Sequence, residues 1–163
     1  MRYFWPVVAL IAAAGLQGNL PSAVSVFGAK PDVVLVVLVS YALAADPEFG
    51  AGLGFVAGLL HGSLVGFSLG SFIVTRTITG FLAGLVTTRL FSENPLVPVL
   101  SAVWLTIVCE ALFLLFNPRP EIGIAFRKVI GECISNAILT LLVFYMLRSL
   151  NTRRKIKLAN ARI

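Results

Sequence analysis

The sequence holds little charge, two cysteines and one histidine, and each shortage removes a class of protein. Only 12% of its 163 residues are charged, against 58% apolar, whereas a soluble domain carries about 25% charged residues. So small a stock cannot cover a water-exposed surface. A single histidine leaves no HExxH pair, and no nucleophile sits beside a recognisable base. The composition therefore predicts neither an enzyme nor a cofactor or metal site. Cys109 and Cys133 each stand beside a glutamate in an apolar run, without metal-type spacing, and read as buried free thiols. No repeat with a period of about 20 to 50 residues is present, which argues against a solenoid.

What the chain has in abundance is apolar sequence, punctuated by Pro, Gly, Asn and Asp. A helical crossing of about 30 Å of hydrocarbon takes roughly 20 residues, so five or six crossings use nearly all of it. The turn residues divide it into six spans: Tyr3–Leu20, Val33–Ala45, Phe49–Gly70, Ser71–Phe91, Leu96–Phe116 and Phe126–Leu147. The predicted fold is an all-α integral membrane protein, one compact six-helix bundle over residues 1–147. Pro31, Pro47 and Pro95 mark helix starts, where a missing N–H costs nothing. Asp32, Asp46, Glu48 and Asn94 flank them as capping groups. The second span is awkward, since a helix over Pro31–Ala45 covers only about 22 Å. It must be shielded by neighbours, extended, or met by a thinned bilayer.

The net charge of +6 sits at one end. Arg148, Arg153, Arg154, Lys155, Lys157 and Arg162 lie in the last 16 residues with no acid, leaving the first 147 with seven basic and seven acidic groups. A short basic segment after an apolar helix reads as a cytoplasmic anchor on anionic headgroups, not as a nucleic-acid site. Residues 148–163 are thus assigned as a basic cytoplasmic tail. The stretch Met1–Gly15 has the small residues Ala12, Ala13 and Ala14 of a signal peptide, but its basic region is Arg2 alone and Pro6 interrupts it. Retention is expected, and an even number of crossings then places both termini in the cytoplasm. Arg119, Arg127 and Lys128 fall on the outside in this arrangement, so the orientation rests mainly on the tail.

The most specific pattern is Gly50, Gly54, Gly58, Gly62, Gly66 and Gly70, an unbroken spacing of four that Gly80 and Gly84 repeat. In lipid, small residues four apart let helix backbones approach. The pattern predicts a tightly packed third helix, in preference to a broken helix lining a ligand cavity. His61, in the same helix, has no second histidine or carboxylate nearby in sequence and reads as a hydrogen-bonded interhelical residue.

Ionisable groups within spans cost about 2.5–3.5 kcal/mol at helix centres, so Arg76, Glu110 and Glu132 stand out. In the six-span arrangement each lies about 9 Å below the outer boundary, at 1.5 Å per residue. Shared depth suggests a buried cluster in which Arg76 pairs with one or both glutamates, with Asn136 one turn beyond Glu132.

The run Lys30-Pro31-Asp32-Val33 to Leu43, the glycines Gly50-x-Gly52-x-Gly54-Phe55-x-x-Gly58-Leu59 and Gly66-x-x-x-Gly70, and Gly131-Glu132-x-x-x-Asn136-Ala137 before a basic end together resemble the bacterial MreD family. The resemblance covers nearly the whole chain. It implies an inner-membrane component of the elongation machinery, beside MreC, the MreB filament system and the peptidoglycan synthases. It also implies a fold similar to the six-helix substrate-binding subunits of energy-coupling-factor vitamin transporters. One departure is that family members often carry an acidic residue soon after the Gly-Leu step, where this chain has His61-Gly62; a role for that carboxylate does not transfer.

The expected work is positional: a body closed by the glycine ladder would offer a groove to the single transmembrane helix of MreC. Bulky residues at Gly54, Gly58 or Gly62 should then weaken copurification with MreC. The alternative class is a solute-binding membrane subunit, for which Arg76, Glu110 and Glu132 would supply the polar contacts.

Overall fold

A computed structural model describes residues 3–90, 96–118 and 122–160. Within them six α-helices run in order: α1 Phe4–Gly18, α2 Val33–Ala42, α3 Pro47–Val65, α4 Leu69–Leu90, α5 Leu96–Phe116 and α6 Ile122–Asn160. Among the described residues there is no strand beyond an isolated antiparallel bridge between Val26 and Ala29. Among the described residues three helices are long and apolar enough to cross a membrane: α3, α4 through Val86, and α5. The expected starts at Asn94 and Pro95 lie outside the described residues, as does Arg119.

The short α2 sits at the centre. Its ten residues span about 15 Å, and Val34, Leu35, Val36, Leu38, Val39 and Ala42 are buried, while Val33, Val37, Ser40 and Tyr41 form one half-buried stripe. So apolar a helix needs most of its surface covered, and α2 touches each of the other five. Of the three expectations for this short segment, shielding by neighbours is the one these contacts match. Leu10, Ala13 and Ala14 of α1, Leu53 and Ala57 of α3, and Leu105 and Cys109 of α5 complete the core around it.

The widest helix–helix interface joins α3 to α4, and glycine makes it. A methyl group on Gly54 would stand 2.8 Å from the Arg76 carbonyl carbon, and one on Gly58 2.5 Å from the Ile73 Cα. Gly50 and Gly80 face each other backbone to backbone, Gly84 lies on Pro47, and Gly62 takes the Leu69 side chain. The last two rungs do other work. The predicted third span runs to Gly70, but α3 stops at Val65, where Gly66 adopts φ 77° and its N–H returns to Gly62. That left-handed cap costs glycine nothing. Gly70 lies in the first turn of α4 with open space beside its Cα.

Other boundaries also move. The expected sixth span is Phe126–Leu147 with a basic tail after it; α6 runs for 39 residues, Ile122–Asn160, through both, a length of about 58 Å. Arg148, Arg153, Arg154, Lys155 and Lys157 therefore lie on a helical extension of α6. Between α1 and α2, Phe27 (φ 52°) and Gly28 (φ 81°) turn the chain at the Val26–Ala29 bridge. The turn lies against α6, where Gly131 meets the Val26 carbonyl.

Candidate functional site: a charged cavity at one end of the bundle

The start of α2 is buried, so its free amides need partners within the protein. The Asp32 carboxylate accepts the Leu35 N–H at 2.8 Å. Asn136 of α6 accepts the Asp32 N–H at 2.8 Å, and Gln17 of α1 accepts the Val33 N–H at 2.8 Å. Asn136 also donates to the Thr106 hydroxyl on α5, at 3.1 Å. One buried asparagine thus ties three helices together. Asp46, another of the expected caps, makes no capping hydrogen bond through its side chain, and Pro47 takes the first helical position.

Asn136→Ala would leave the Asp32 N–H without its acceptor, at a cost of about 1–3 kcal/mol. A lowered melting temperature of the detergent-solubilised protein is expected. Unchanged melting would mean that the amide finds another acceptor.

The second oxygen of Asp32 receives Arg76 of α4, which is only 2% exposed. Arg76 also meets the Nδ1 of His61 through the same terminal nitrogen, and its other terminal nitrogen lies 3.7 Å from the Cys109 sulfur. Its Nε has no hydrogen-bond partner. The His61 ring stacks on Phe72 with centroids 4.9 Å apart, and the guanidinium lies 5.3 Å from the same ring centre. The glycine seam places these groups. Close approach of α3 and α4 at Gly54, Gly58 and Gly62 brings His61 and Arg76 within bonding reach, while α2 delivers Asp32 from the side.

Asp32, His61 and Arg76 line a cavity of about 240 Å³, with Lys30, Glu110, Lys128 and Glu132 on its walls. Phe67, Phe72 and Phe113 add an aromatic side. Every contributor comes from the same end of the bundle: the end of α1, the start of α2, the end of α3, the start of α4, the end of α5 and the start of α6. That end is opposite both the first residues of α1 and the basic extension of α6.

Arg76, Glu110 and Glu132, grouped by depth from the sequence, do come together at this cavity. The close partners that the structure shows for Arg76 are Asp32, His61 and Cys109, of which the sequence presents the first two only as a helix cap and an interhelical histidine. Asp32 is both cap and counter-ion. The signal available in sequence is only that a carboxylate beside Pro31 precedes an unusually short, largely apolar segment. Asn136 lies behind the ion pair, holding the backbone of Asp32. Among the described residues no cluster of His, Cys, Asp and Glu is arranged to hold a metal ion.

The family model described as rod shape-determining protein MreD matches residues 2–150. No curated protein and no solved structure matches the chain.

Proposed function

This chain belongs to the MreD family of rod shape-determining membrane proteins, and we propose that it acts there as a non-catalytic scaffold that binds MreC and helps to position the peptidoglycan synthases. In this reading it is a multi-pass protein of the bacterial cytoplasmic membrane with both termini inside. The basic extension of α6 supports that orientation, because Lys and Arg near a membrane end favour the cytoplasmic side. The charged cavity then opens outward.

One observation carries the reading: the glycine face is filled by α4, while the charged cavity remains open at the opposite end from the basic extension. The glycine ladder is thereby internal, and it serves a partner by shaping the body that the partner meets. The transmembrane helix of MreC lies against the lipid-facing surface, and the segment that follows it outside the membrane enters the cavity. Acidic and basic walls fix register and orientation, which is what charge complementarity contributes most strongly. The MreB system and the synthases are reached directly or through MreC, with the α6 extension on the anionic inner leaflet.

Reversing wall charges with Lys128→Glu and Glu132→Lys should reduce copurification of MreC in mild detergent at least severalfold, with the protein still monodisperse. Full recovery of MreC with both charges reversed would remove the cavity from the interface. The same cavity is what favours the second reading, a solute-binding subunit. At about 240 Å³ it falls below the roughly 300–1,000 Å³ of ordinary small-molecule pockets, so any solute is small and polar. Mass spectrometry of the purified protein distinguishes the two readings by what is co-isolated.

A further inference from the structure

We propose that a single apolar transmembrane helix, the one that the scaffold reading assigns to MreC, lies in an open seam between α1 and α6, on the half-buried face of α2. The proposal rests on that reading and fixes which face of the bundle the helix uses.

Five helices surround α2, and four of the joints between them are packed: α1 on α3, α3 on α4, α4 on α5 and α5 on α6. The fifth joint is open, since among the described residues no Cα of α6 comes within 8 Å of one in α1. The contacts of α2 show which of its faces meets this gap. Ala42 lies against α3, where a side chain on Gly50 would stand 3.3 Å from it. Half a turn round the helix from Ala42, at about 3.6 residues per turn, lies the stripe of Val33, Val37, Ser40 and Tyr41. It faces away from the α3–α4 seam and into the gap. Ser40 returns its hydroxyl to the Val36 carbonyl at 2.7 Å, which keeps this floor largely apolar.

The two rims follow in the same way. Tyr3, at the cap of α1, stacks on Phe49, and Gly18 reaches Leu64, so that flank of α1 belongs to α3. The opposite flank carries Trp5, Ala9, Ala12 and Leu16. Trp5 and Leu16 are 64% and 61% exposed, with the two alanines as a saddle between them. On α6, Cys133 faces α5 through the Val103 carbonyl and Asn136 faces α2. The flank away from α5 carries Leu139, Leu142 and Met146, the last two exposed. A helix seats between such rims by laying its own ridge in the groove, and small residues on a rim let its backbone approach in lipid.

The occupant is a lone helix and not a second copy of this chain. In an isologous pair both copies present the same face, so groove would meet groove and neither floor would be covered. Such a pair in one membrane would also bring together two α6 extensions, each carrying Arg148, Arg153, Arg154, Lys155 and Lys157, and like charges repel. The outer end of the groove shows where the partner goes next. There the Val26–Ala29 turn lies against Gly131 of α6. Lys30 follows this turn directly and Lys128 lies one helical turn before Gly131, and both line the charged cavity. A chain leaving the groove outward therefore crosses one turn to reach the cavity, so a single partner occupies both.

The test is photo-crosslinking of the full chain, coexpressed with MreC, in intact membranes. The photoreactive residue p-benzoylphenylalanine replaces Tyr41 on the floor, Trp5 on one rim or Leu142 on the other, and for comparison Phe55 or Phe81, which are exposed on α3 and α4. Four of these five exchanges put one aromatic ring in place of another, and each variant is first shown to be monodisperse. Adducts with MreC, identified by mass spectrometry, are expected at Tyr41, Trp5 and Leu142 at least severalfold above those at Phe55 and Phe81. With MreC still copurifying, adducts as abundant at Phe55 or Phe81, or none at Tyr41, would overturn the groove and leave the scaffold reading standing. An adduct of two copies of this chain at Tyr41 would overturn it in favour of self-association. Absence of MreC from the purified wild-type chain would remove the scaffold reading and the groove together.

Discussion

Gly54→Ala is expected to destabilise the protein strongly, and Gly54→Leu to prevent its accumulation as a folded species. A methyl group at this position would stand 2.8 Å from both the Arg76 carbonyl carbon and the Thr77 Cα. Backbone cannot rotate away as a side chain can, so the two helices must separate. Overpacking of a well-packed interior costs about 1–3 kcal/mol, and a backbone obstruction lies at or above the upper end of that range. Gly70→Ala is the matched control, because nothing stands near the place its methyl would occupy. The measurement is the melting temperature of the two variants in the same detergent. Equal melting would show that α3 and α4 do not pack as closely as the seam requires. Loss of MreC from a Gly54 variant would therefore be read against its folding before any contact is inferred.

Arg76→Ala should be comparably damaging by a different route. Removing one member of a buried ion pair leaves the other charge without compensation, and such changes cost about 3–5 kcal/mol. Here Asp32 would remain as a buried carboxylate without its guanidinium, with the start of α2 still attached to it. Removing both charges together, as Asp32→Asn with Arg76→Met, should recover much of the loss, because buried pairs often contribute little beyond mutual neutralisation. The asparagine retains an oxygen for the Leu35 N–H. The check is a double-mutant cycle on thermal or denaturant stability. Strict additivity of the two single changes would mean that Asp32 and Arg76 are not coupled. The cycle tests an Asp32 pairing that proximity along the chain does not suggest, since 44 residues separate the two groups.

Several properties were legible from residue types alone. Scarcity of charge and six apolar runs dictated an all-α membrane domain, because a backbone in hydrocarbon must satisfy its hydrogen bonds within each segment. The ends of α5 also follow from the sequence, since Leu96–Phe116 is bounded by turn residues on both sides. The fourfold glycine spacing announced close helix packing, because only small side chains allow it. What that spacing could not convey is which helix fills the face. The same repeat suits an internal seam or an external dock, and the choice depends on the turn at Gly66–Ser68 that folds α4 back onto α3.

The site illustrates the same division. Composition and span depth were enough to bring Arg76, Glu110 and Glu132 into one neighbourhood, since membrane burial makes every charge within a span conspicuous. They did not identify Asp32, whose local duty as a helix cap fully accounts for it in one dimension, nor His61, which has no partner nearby in sequence. A carboxylate has two oxygens, and only the tertiary structure decides that one caps α2 while the other meets Arg76. Along the chain the amino acids determined the medium, the helices and the capacity for close approach, because these follow from local hydrogen bonding and transfer from water. Which charges meet across that approach was decided by packing, because ionic contacts act over a few ångströms in space and carry no period in sequence.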